Sequence, residues 1–588
     1  MNLTTKIILS LIALPVIVIG CNVVMEENDK TATQEEKTFS PTMSAQAYAD
    51  AIAQNAVAVK IDQPYYVQND TPYITTQCYT KPKDAQGNIH NPCFSCHINN
   101  GSDAFKPNFF ADDTLQLEYD FALPAFENRF TNLFLDRTEL VGAISDVNIT
   151  AYLRQDNYFD ANGSITLAQT LTHNLPTSWD VDKNGKWEGY VPDCQFTFDA
   201  EGFDRTADGN YTGWRAFRYR PFLGTFWPTN GSTDDVLIKL GDDFMRDEAG
   251  KFNLTVYKVN LAIVESLTHF KDVTIDAVNE KSIGGIDIDG SGKLGIATKV
   301  AFKAPYGIGM RYVGKAKNYL QDNTLKKVAR GLFPDGTQFL HSVRYIDADK
   351  NGTIAMAPRI KELRWAKKIA YQNYGQLENV AFNEIKERHF FPERTKTVQG
   401  DAERGLYNGL GWIYQGFIED AQGELRPQNY EETAYCIGCH GNLGATTDTI
   451  FSFARKLDGN ESWLHWSQKG LVGISDRNIS IEGETEYVHY LKANGAGDEF
   501  RGNDEIKAKF FDANGSLNTK AEAIKADITQ LIFPSYERAM QLNKAYKIIV
   551  DEQSFIKGRD AHVKPLDDTV FKRIESDETG IKTSISYK

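Results

Sequence analysis

Two short cysteine motifs constrain this chain more than any other feature of its sequence. Both have the pattern Cys-x-x-Cys-His, as CFSCH at residues 93–97 and CIGCH at residues 436–440. This spacing is the attachment signature of c-type haem, because two thiols three residues apart reach the two vinyl groups of one porphyrin and the adjacent imidazole binds its iron. We therefore predict two covalently bound haems c. The predicted attachment cysteines and proximal iron ligands are Cys93, Cys96, Cys436, Cys439, His97 and His440.

Zinc and thiol–disulfide exchange are the competing interpretations of these motifs. Zinc needs four ligands, and the two pairs stand 340 residues apart, so they supply such a set only if the fold brings them together. A redox-active Cys-x-x-Cys pair does not need the histidine that follows both pairs here. Haem is therefore the favoured interpretation.

The first twenty residues have the layout of a secretory signal. An apolar run over 7–19 follows a single lysine and is too short to span a bilayer comfortably. The run ends in Gly20-Cys21, which resembles the bacterial lipobox and implies acylation of Cys21. Under the Gram-negative sorting rule that this resemblance implies, Asn22 favours the outer membrane. We expect an outer-membrane lipoprotein that faces the periplasm or the cell surface.

Composition excludes several classes of function. The chain has 588 residues, 64 Lys and Arg against 79 Asp and Glu, and a net charge of −15, so it offers no general phosphate-neutralising surface and we expect no nucleic-acid partner. No Ser-His-Asp order, P-loop or dinucleotide fingerprint is found in the sequence. Hydrolase and nucleotide chemistry are therefore not expected.

Two cysteines remain after the motifs and the lipid anchor are assigned. Free exposed thiols are unusual in an extracytoplasmic compartment, so Cys78 and Cys194 are predicted to form a disulfide. A role for one of them as an iron ligand is the less favoured alternative.

Three acidic loops match the first half of the calcium-binding pattern D-x-[DN]-x-[DN]-G. Position twelve of these loops is Val191, Thr298 or Pro358, so each lacks the bidentate glutamate of a full EF-hand. Calcium then requires a carboxylate from elsewhere, and ordinary hairpin turns have the same composition. The candidate ligands are Asp180, Asp182, Asn184, Asp287, Asp289, Ser291, Asp347, Asp349 and Asn351.

The pattern of apolar residues predicts an α+β multidomain fold, with largely helical and loop-rich haem-binding segments flanking a strand-rich centre. Strands are predicted within 255–266, 293–304 and 339–349, and helices over 44–56, 361–388 and 536–550. The predicted divisions are a signal (1–20), a tether (21–45), a first haem domain (46–180), a central domain with the acidic turns (181–360), a second haem domain (361–470) and a helical C-terminal segment (471–588).

The ligand opposite each proximal histidine decides between a carrier and a catalyst, because a second protein ligand saturates the iron whereas an open face binds substrate. His341 and His465 are the candidate distal ligands, and Met310 and Met356 are the methionines that lie in structured regions. Aromatic residues between 187 and 227 are candidates for a haem wall, and Arg215, Arg218 and Arg220 for partners of the propionates.

With its signal and two haem motifs, the chain resembles a bacterial di-haem c-type cytochrome anchored as a lipoprotein. Di-haem cytochrome c peroxidases also carry two such motifs, but closer together and in a shorter helical chain. The resemblance implies electron transfer between periplasmic or outer-membrane redox proteins. Alternatives are a di-haem redox enzyme with one open-faced catalytic haem, similar to a peroxidase or oxidase, and a haem-bearing surface protein that binds a partner.

Overall fold

The computed structural model describes residues 43–62, 74–98, 116–224, 228–305, 307–318, 320–321, 324–325, 328–441, 443–479, 482–497 and 503–584. The predicted signal, Cys21 and nearly all of the predicted tether lie outside these residues. Residues 41–588 form one compact unit. None of the helices in the described part is both long and apolar enough to cross a bilayer.

Helices are found at both ends of the described chain and around its centre. In chain order the α-helices are α1 (Ala45–Asn55), α2 (Thr138–Ala143), α3 (Asp146–Leu153), α4 (Thr166–His173), α5 (Leu254–His269), α6 (Tyr374–Phe390), α7 (Tyr430–Cys439), α8 (Trp466–Lys469), α9 (Glu486–Asn494), α10 (Asp504–Phe510), α11 (Glu522–Ala526), α12 (Thr529–Ile532) and α13 (Tyr536–Glu552).

Ten strands form one antiparallel sheet with the order β1-β2-β4-β9-β10-β13-β12-β11, and β14 pairs with β13 and β3 with β9. Two further hairpins, β5–β6 and β7–β8, stand apart from it. The strands are β1 (Phe203–Arg205), β2 (Tyr211–Ala216), β3 (Thr233–Asp234), β4 (Leu237–Lys239), β5 (Val273–Asn279), β6 (Ile296–Val300), β7 (Leu320–Gln321), β8 (Thr324–Leu325), β9 (Gln338–Ala348), β10 (Ile354–Lys368), β11 (Gln399–Asp401), β12 (Gly405–Tyr407), β13 (Trp412–Glu419) and β14 (Leu425–Pro427).

The two longest strands, β9 and β10, lie at the centre of the sheet and are buried on both faces. Successive side chains of a strand point to opposite faces. Leu340 of β9 and Leu363 of β10 therefore pack into one hydrophobic core with Trp214 and Phe417. The neighbouring residues along each strand, such as His341 on β9 and Arg364 on β10, point to the opposite face of the sheet, where they form the floor of a pocket.

The predicted α+β class is confirmed, and so is the strand-rich region between helical and loop-rich segments. Predicted strands within 293–304 and 339–349 correspond to β6 and β9, and predicted helices over 44–56 and 536–550 to α1 and α13. The predicted domain boundary at 360/361 falls inside β10, so one sheet joins the central region to the segment that follows it.

The prediction of a strand within 255–266 is wrong, because these residues form helix α5. Their β-branched side chains favour a strand locally. Asn253, however, caps the helix by accepting a hydrogen bond from the amide of Val256, and nearly every side of α5 is buried in the core. Burial all round removes the amphipathic period by which a helix is usually detected.

The predicted helix over 361–388 is wrong over 361–368, which belong to strand β10, and right from Tyr374 onwards. The charged residues of this stretch are typical of the exposed face of an amphipathic helix. Lys361, Glu362 and Lys368 are instead buried and Arg364 is partly buried, and all four are paired within the protein. Buried ion pairs conceal the alternation of a strand because charged residues take the place of apolar ones.

Glu486 at the start of α9 lies between two arginines, at 2.8 Å from Arg455 and 2.7 Å from Arg477. Burial raises the pKa of this carboxyl, but the two guanidinium charges outweigh burial and lower the pKa to about 2, from an ordinary value of 4.5. A lowered carboxyl pKa stabilises the fold above the unfolded-state pKa, and this stability is lost as the pH falls through the folded-state pKa.

We predict that Glu486→Gln lowers the free energy of unfolding at pH 7 by roughly 3 kcal/mol and flattens its decline between pH 4.5 and pH 2. Urea unfolding at pH 7 and at pH 3 measures both effects. Glu484→Gln is the control, because Glu484 pairs at 2.9 Å with Lys492, whose side chain is 63% exposed, and such pairs contribute at most about 1 kcal/mol. Equal losses in the two variants would contradict the prediction.

Candidate functional site

Both Cys-x-x-Cys-His motifs open into one pocket, which lies over the face of β9 and β10 opposite the core. The space between protein atoms in this pocket, its open mouth included, is about 2890 Å³. Its walls include the apolar side chains of Ile74, Phe121, Phe222, Leu223, Val236 and Phe451. All four motif cysteines and both motif histidines line it.

The two motifs make the same local turn. In each, the amide of the histidine donates to the carbonyl of the first cysteine, at 2.8 Å from His97 to Cys93 and at 2.9 Å from His440 to Cys436. The first turn follows Pro92 as a single 3₁₀ turn, whereas the second is the last turn of α7. Both cysteines and the histidine of each motif thereby face the pocket.

The motifs are also tied to one another. The amide of Ala445, in the loop after the second motif, donates to the carbonyl of Cys96 at 3.0 Å.

Burial raises the pKa of the Cys93 and Cys439 thiols, and the nearby Cys78 raises both further. Cys78 therefore lies close to a cysteine of each motif, in the same pocket.

These thiols and imidazoles are too dispersed to chelate a single metal ion. Among the described residues, the only groups of three or more His, Cys, Asp or Glu whose ligand atoms lie within 4.8 Å of one another are two acidic clusters. Tetrahedral zinc holds its sulfur ligands about 2.3 Å from the metal, which places the ligand atoms about 3.8 Å from one another. Four zinc ligands would therefore satisfy the 4.8 Å limit, and the motif residues do not. The six motif residues therefore surround a space suited to a group much larger than an ion.

The ring of His440 has one nitrogen held by the backbone. Its Nδ1 lies 2.7 Å from the carbonyl oxygen of Thr449, which only accepts, so the proton is on Nδ1 and Nε2 keeps its lone pair. Burial lowers the pKa of His440 to about 4, so the imidazole is neutral at pH 7. A neutral imidazole whose second nitrogen donates to a carbonyl is the usual state of a metal ligand.

The Thr449 carbonyl is presented by an unusual stretch of backbone. Asp448 and Thr449 both have positive φ, 48° and 65°, a conformation that costs free energy for residues other than glycine. Asp448 is fully buried and pairs with the equally buried Lys368 at 2.8 Å. The Thr449 hydroxyl lies 2.9 Å from that of Tyr414, whose ring packs 4.7 Å from His440. These contacts hold the turn in place behind the imidazole.

Charged side chains cover the pocket floor. His341 on β9 and Arg364 on β10 are cross-strand partners, and both line the pocket. Glu362, two residues from Arg364, accepts from Arg364 at 2.8 Å and from Arg559 at 2.7 Å. Burial raises the pKa of Glu362, but the two arginine charges outweigh it and lower the pKa overall. Arg364 and Arg559 thus share a single carboxylate at this wall of the pocket.

The predicted distal ligands have different positions. His341 lies in the pocket, where its Nδ1 is 3.5 Å from the carboxylate of Asp234. His465 does not line the pocket: it caps α8, with Nδ1 at 2.7 Å from the Ser467 hydroxyl and Nε2 at 2.9 Å from Asp235. Both of its nitrogens are occupied, so His465 is a structural residue. Met310 and Met356 pack in hydrophobic clusters away from the pocket.

The predicted disulfide is wrong, because Cys78 and Cys194 are both free. Cys78 faces the pocket, whereas Cys194 is fully buried in the core beside Tyr158 and Trp214. The two thiols thus belong to different parts of the structure.

The predicted aromatic wall and its arginines are mainly structural. Of the described aromatic residues between 187 and 224, Tyr219 and Phe222 line the pocket, while Trp214 lies in the core; Phe226 and Trp227 fall outside the described residues. The guanidinium group of Arg215 stacks on Phe203 and Trp463. The arginines that do line the pocket are Arg364, Arg388, Arg455 and Arg559.

Sequence reasoning missed Asp234, Arg364 and Arg559 as pocket residues. Alternation along β10 was the available signal, since Glu362 and Arg364 are two residues apart and share a face. Nothing local in the sequence marks Asp234 or Arg559, which reach the pocket only through the tertiary fold.

Two of the three acidic loops gain a carboxylate from another part of the chain. Asp180 and Asp182 lie with Glu403, and Asp287 and Asp289 with Glu280, each set having ligand atoms within 4.8 Å of one another. Calcium at these two loops stays a prediction.

The third acidic loop forms no such group among the described residues. Asp347 pairs with Arg154 at 2.8 Å, and Asp349 accepts the amides of Asn351 and Thr353 at 2.9 Å. This loop closes the hairpin between β9 and β10.

Comparison with known proteins assigns this chain to a protein family. A family model with the description "-like lipoprotein" matches residues 61–528. A protein of Aquifex aeolicus (strain VF5), named "Uncharacterized lipoprotein", is 31% identical over 553 residues, 84% of this chain and 86% of the relative. The chain belongs to this lipoprotein family. No solved structure gives a significant match.

The family corrects one expectation and supports another. The resemblance to the di-haem c-type cytochromes is wrong as a family assignment, because the matching family is one of lipoproteins and no cytochrome family matches. It rested on two pentapeptides, whereas the family match extends over most of the chain. The expectation of a membrane-anchored lipoprotein agrees with the family.

We predict that Asp448→Asn destabilises this lipoprotein by roughly 3–5 kcal/mol, because it leaves the buried ammonium of Lys368 without its charge partner. Thermal and urea unfolding measure the loss. Asp458→Asn is the control, since Asp458 is 75% exposed in its pair with Lys271 and such pairs contribute little. An Asp448 variant as stable as this control would show that the buried pair does not hold the turn.

Proposed function

We propose that this lipoprotein carries two covalently attached haems c in one pocket and transfers electrons between extracytoplasmic redox proteins. One observation supports this most strongly. The six residues of the two motifs line a single pocket, yet no three of them place ligand atoms close enough to share one metal ion.

The residues of the chain fit the parts of a haem. Cys93 and Cys96, and likewise Cys436 and Cys439, supply the thiols for thioether bonds to the vinyl groups. His440 is held neutral with Nε2 free to bind iron. Arg364 and Arg559, which share the single carboxylate of Glu362, offer guanidinium donors for the carboxylates of the propionates. Apolar side chains such as Ile74, Phe222 and Phe451 cover part of the remaining walls, against which the porphyrin faces can pack.

Bound haem iron supplies one-electron chemistry by alternating between its ferrous and ferric states. The fold contributes proximity, since both attachment motifs face the same pocket and the Ala445–Cys96 hydrogen bond joins them. Burial contributes to electron transfer as well, because the protein groups around a buried iron set its reduction potential. An arrangement of this kind passes an electron between the two haems of the pocket.

We further propose that acylation of Cys21 anchors the protein in the outer membrane and that its partners are other redox proteins of the cell envelope. The lipobox-like sequence and Asn22 support this location. Cell fractionation tests it: we expect the wild-type protein in the outer membrane and Cys21→Ala outside that fraction. Identical distributions of the two proteins would contradict lipid anchoring.

We predict that the purified chain contains two haems and that each motif holds one of them. The paired change Cys93→Ala/Cys96→Ala removes one haem, and Cys436→Ala/Cys439→Ala removes the other, because each thiol pair forms the thioether bonds of one porphyrin. The measurement is the pyridine haemochrome assay per chain, on protein produced with a c-type maturation system.

Cys194→Ala is the matched control for this experiment. It removes a buried thiol that lies outside the pocket, so it retains two haems. Wild-type protein without covalent haem would contradict the proposed function, and so would a motif variant that keeps both haems.

A further inference from the structure

The pocket offers fewer imidazoles than two haem irons need for full coordination. Each iron has two axial positions, so two irons have four. All ten histidines fall within the described residues, and three of them line the pocket: His97, His440 and His341. None of the five methionines that the structure describes lines it. One axial position is therefore left over.

The other seven histidines do not line the pocket. His562 bonds through both nitrogens to backbone carbonyls, at 2.9 Å to Lys564 and 2.7 Å to Asn132. His269 bonds to the carbonyl of Phe453 at 2.9 Å. His465 is occupied by Ser467 and Asp235, as described above. His90, His173 and His389 do not line the pocket, and neither does His489, whose ring packs 5.8 Å from that of Phe94 in the first motif.

His341 belongs to the half of the pocket that holds His440. Its cross-strand partner Arg364 lines the same pocket as Cys436 and is in turn paired with Gly416 of β13. Two residues from Gly416 on the same strand, the ring of Tyr414 packs 4.7 Å from that of His440. These relations place His341 close to the second motif.

The surroundings of His341 are those of an oriented ligand. Asp234 stands 3.5 Å from Nδ1, and its other oxygen accepts from the hydroxyl of Tyr219. Burial raises the pKa of the Asp234 carboxyl, while His341 counteracts this by lowering it. A carboxylate behind one ring nitrogen fixes the imidazole and directs the other nitrogen outwards, as at many metal sites.

We propose that His341 is the second axial ligand on the His440 side, and that the axial position opposite His97 binds a small exogenous ligand such as cyanide, nitric oxide or peroxide. This inference rests on the proposed function, because it presupposes two haems. It adds a ligand-binding site to an electron-transfer protein and assigns that site to the first motif.

Cys78 is the competing ligand that the pocket contains. It lies near Cys93 and Cys439, and its sulfur is 3.5 Å from the hydroxyl of Thr75. A thiol loses its proton when it binds a metal ion, so Cys78 competes for the open axial position. The variant Cys78→Ala tests this competitor.

The test uses the purified ferric protein with its haems counted by pyridine haemochrome. We expect two haems, one low-spin and one high-spin by electron paramagnetic resonance, and one cyanide bound per chain in an optical titration. Two low-spin haems that bind no cyanide would overturn the inference while leaving the proposed function intact. Fewer than two haems would instead contradict the proposed function.

Two variants test whether His341 is an axial ligand. We expect His341→Ala to turn the low-spin haem of the second motif high-spin and to raise the number of cyanide ions bound per chain from one to two. His389→Ala is the control, because His389 is exposed on α6 outside the pocket. We expect this variant to bind one cyanide per chain, as the wild-type protein does. An unchanged stoichiometry in His341→Ala would overturn the assignment. A low-spin signal that becomes high-spin in Cys78→Ala would overturn it too. Should His341→Ala fail to fold, Cys436→Ala/Cys439→Ala decides, because it keeps only the haem of the first motif: we expect that haem to be high-spin and to bind one cyanide, and a low-spin haem that binds none would overturn the assignment.

Discussion

The pairing of β9 with β10 is the interaction on which the pocket depends. Because side chains alternate along each strand, this pair builds the hydrophobic core with one face and the pocket floor with the other. Leu340 opposes Trp365 in the core, and the next residues, His341 and Arg364, oppose each other in the pocket. A slip of one residue would exchange core and pocket side chains, so the register is strongly specified.

The pocket walls come from segments that are far apart in the chain. The first motif lies on a single 3₁₀ turn and the second at the end of α7. Buried ion pairs hold these segments at fixed positions around the floor: Lys368–Asp448 stands behind His440, and Arg559 reaches Glu362 from the C-terminal part of the chain. Charges buried in this way destabilise the protein unless every partner is present, which favours a single arrangement of the walls.

Local chemistry could be predicted from the sequence, and tertiary convergence could not. The haem motifs are read from five residues each, and strands such as β9 are recognised from their β-branched and aromatic residues. Helix α5 and strand β10 were misassigned because burial on all sides removes the periodic pattern that distinguishes them. The pairing of Cys78 with Cys194 and the ligand role of His465 failed for a related reason. Both rested on residue type alone, whereas the fold places Cys194 in the core and His465 at a helix cap.

The family match covers most of the chain, while the motifs occupy ten residues. The chemistry of the protein therefore depends on whether the shared pocket holds two macrocycles. X-ray diffraction from crystals of the purified lipoprotein, with anomalous data collected at the iron and zinc edges, measures this most directly. We predict two iron peaks within the pocket, one beside His97 and one beside His440, each inside porphyrin density bonded to its cysteine pair. A zinc peak bound by the four motif thiols, or a pocket without iron, would contradict the two-haem assignment.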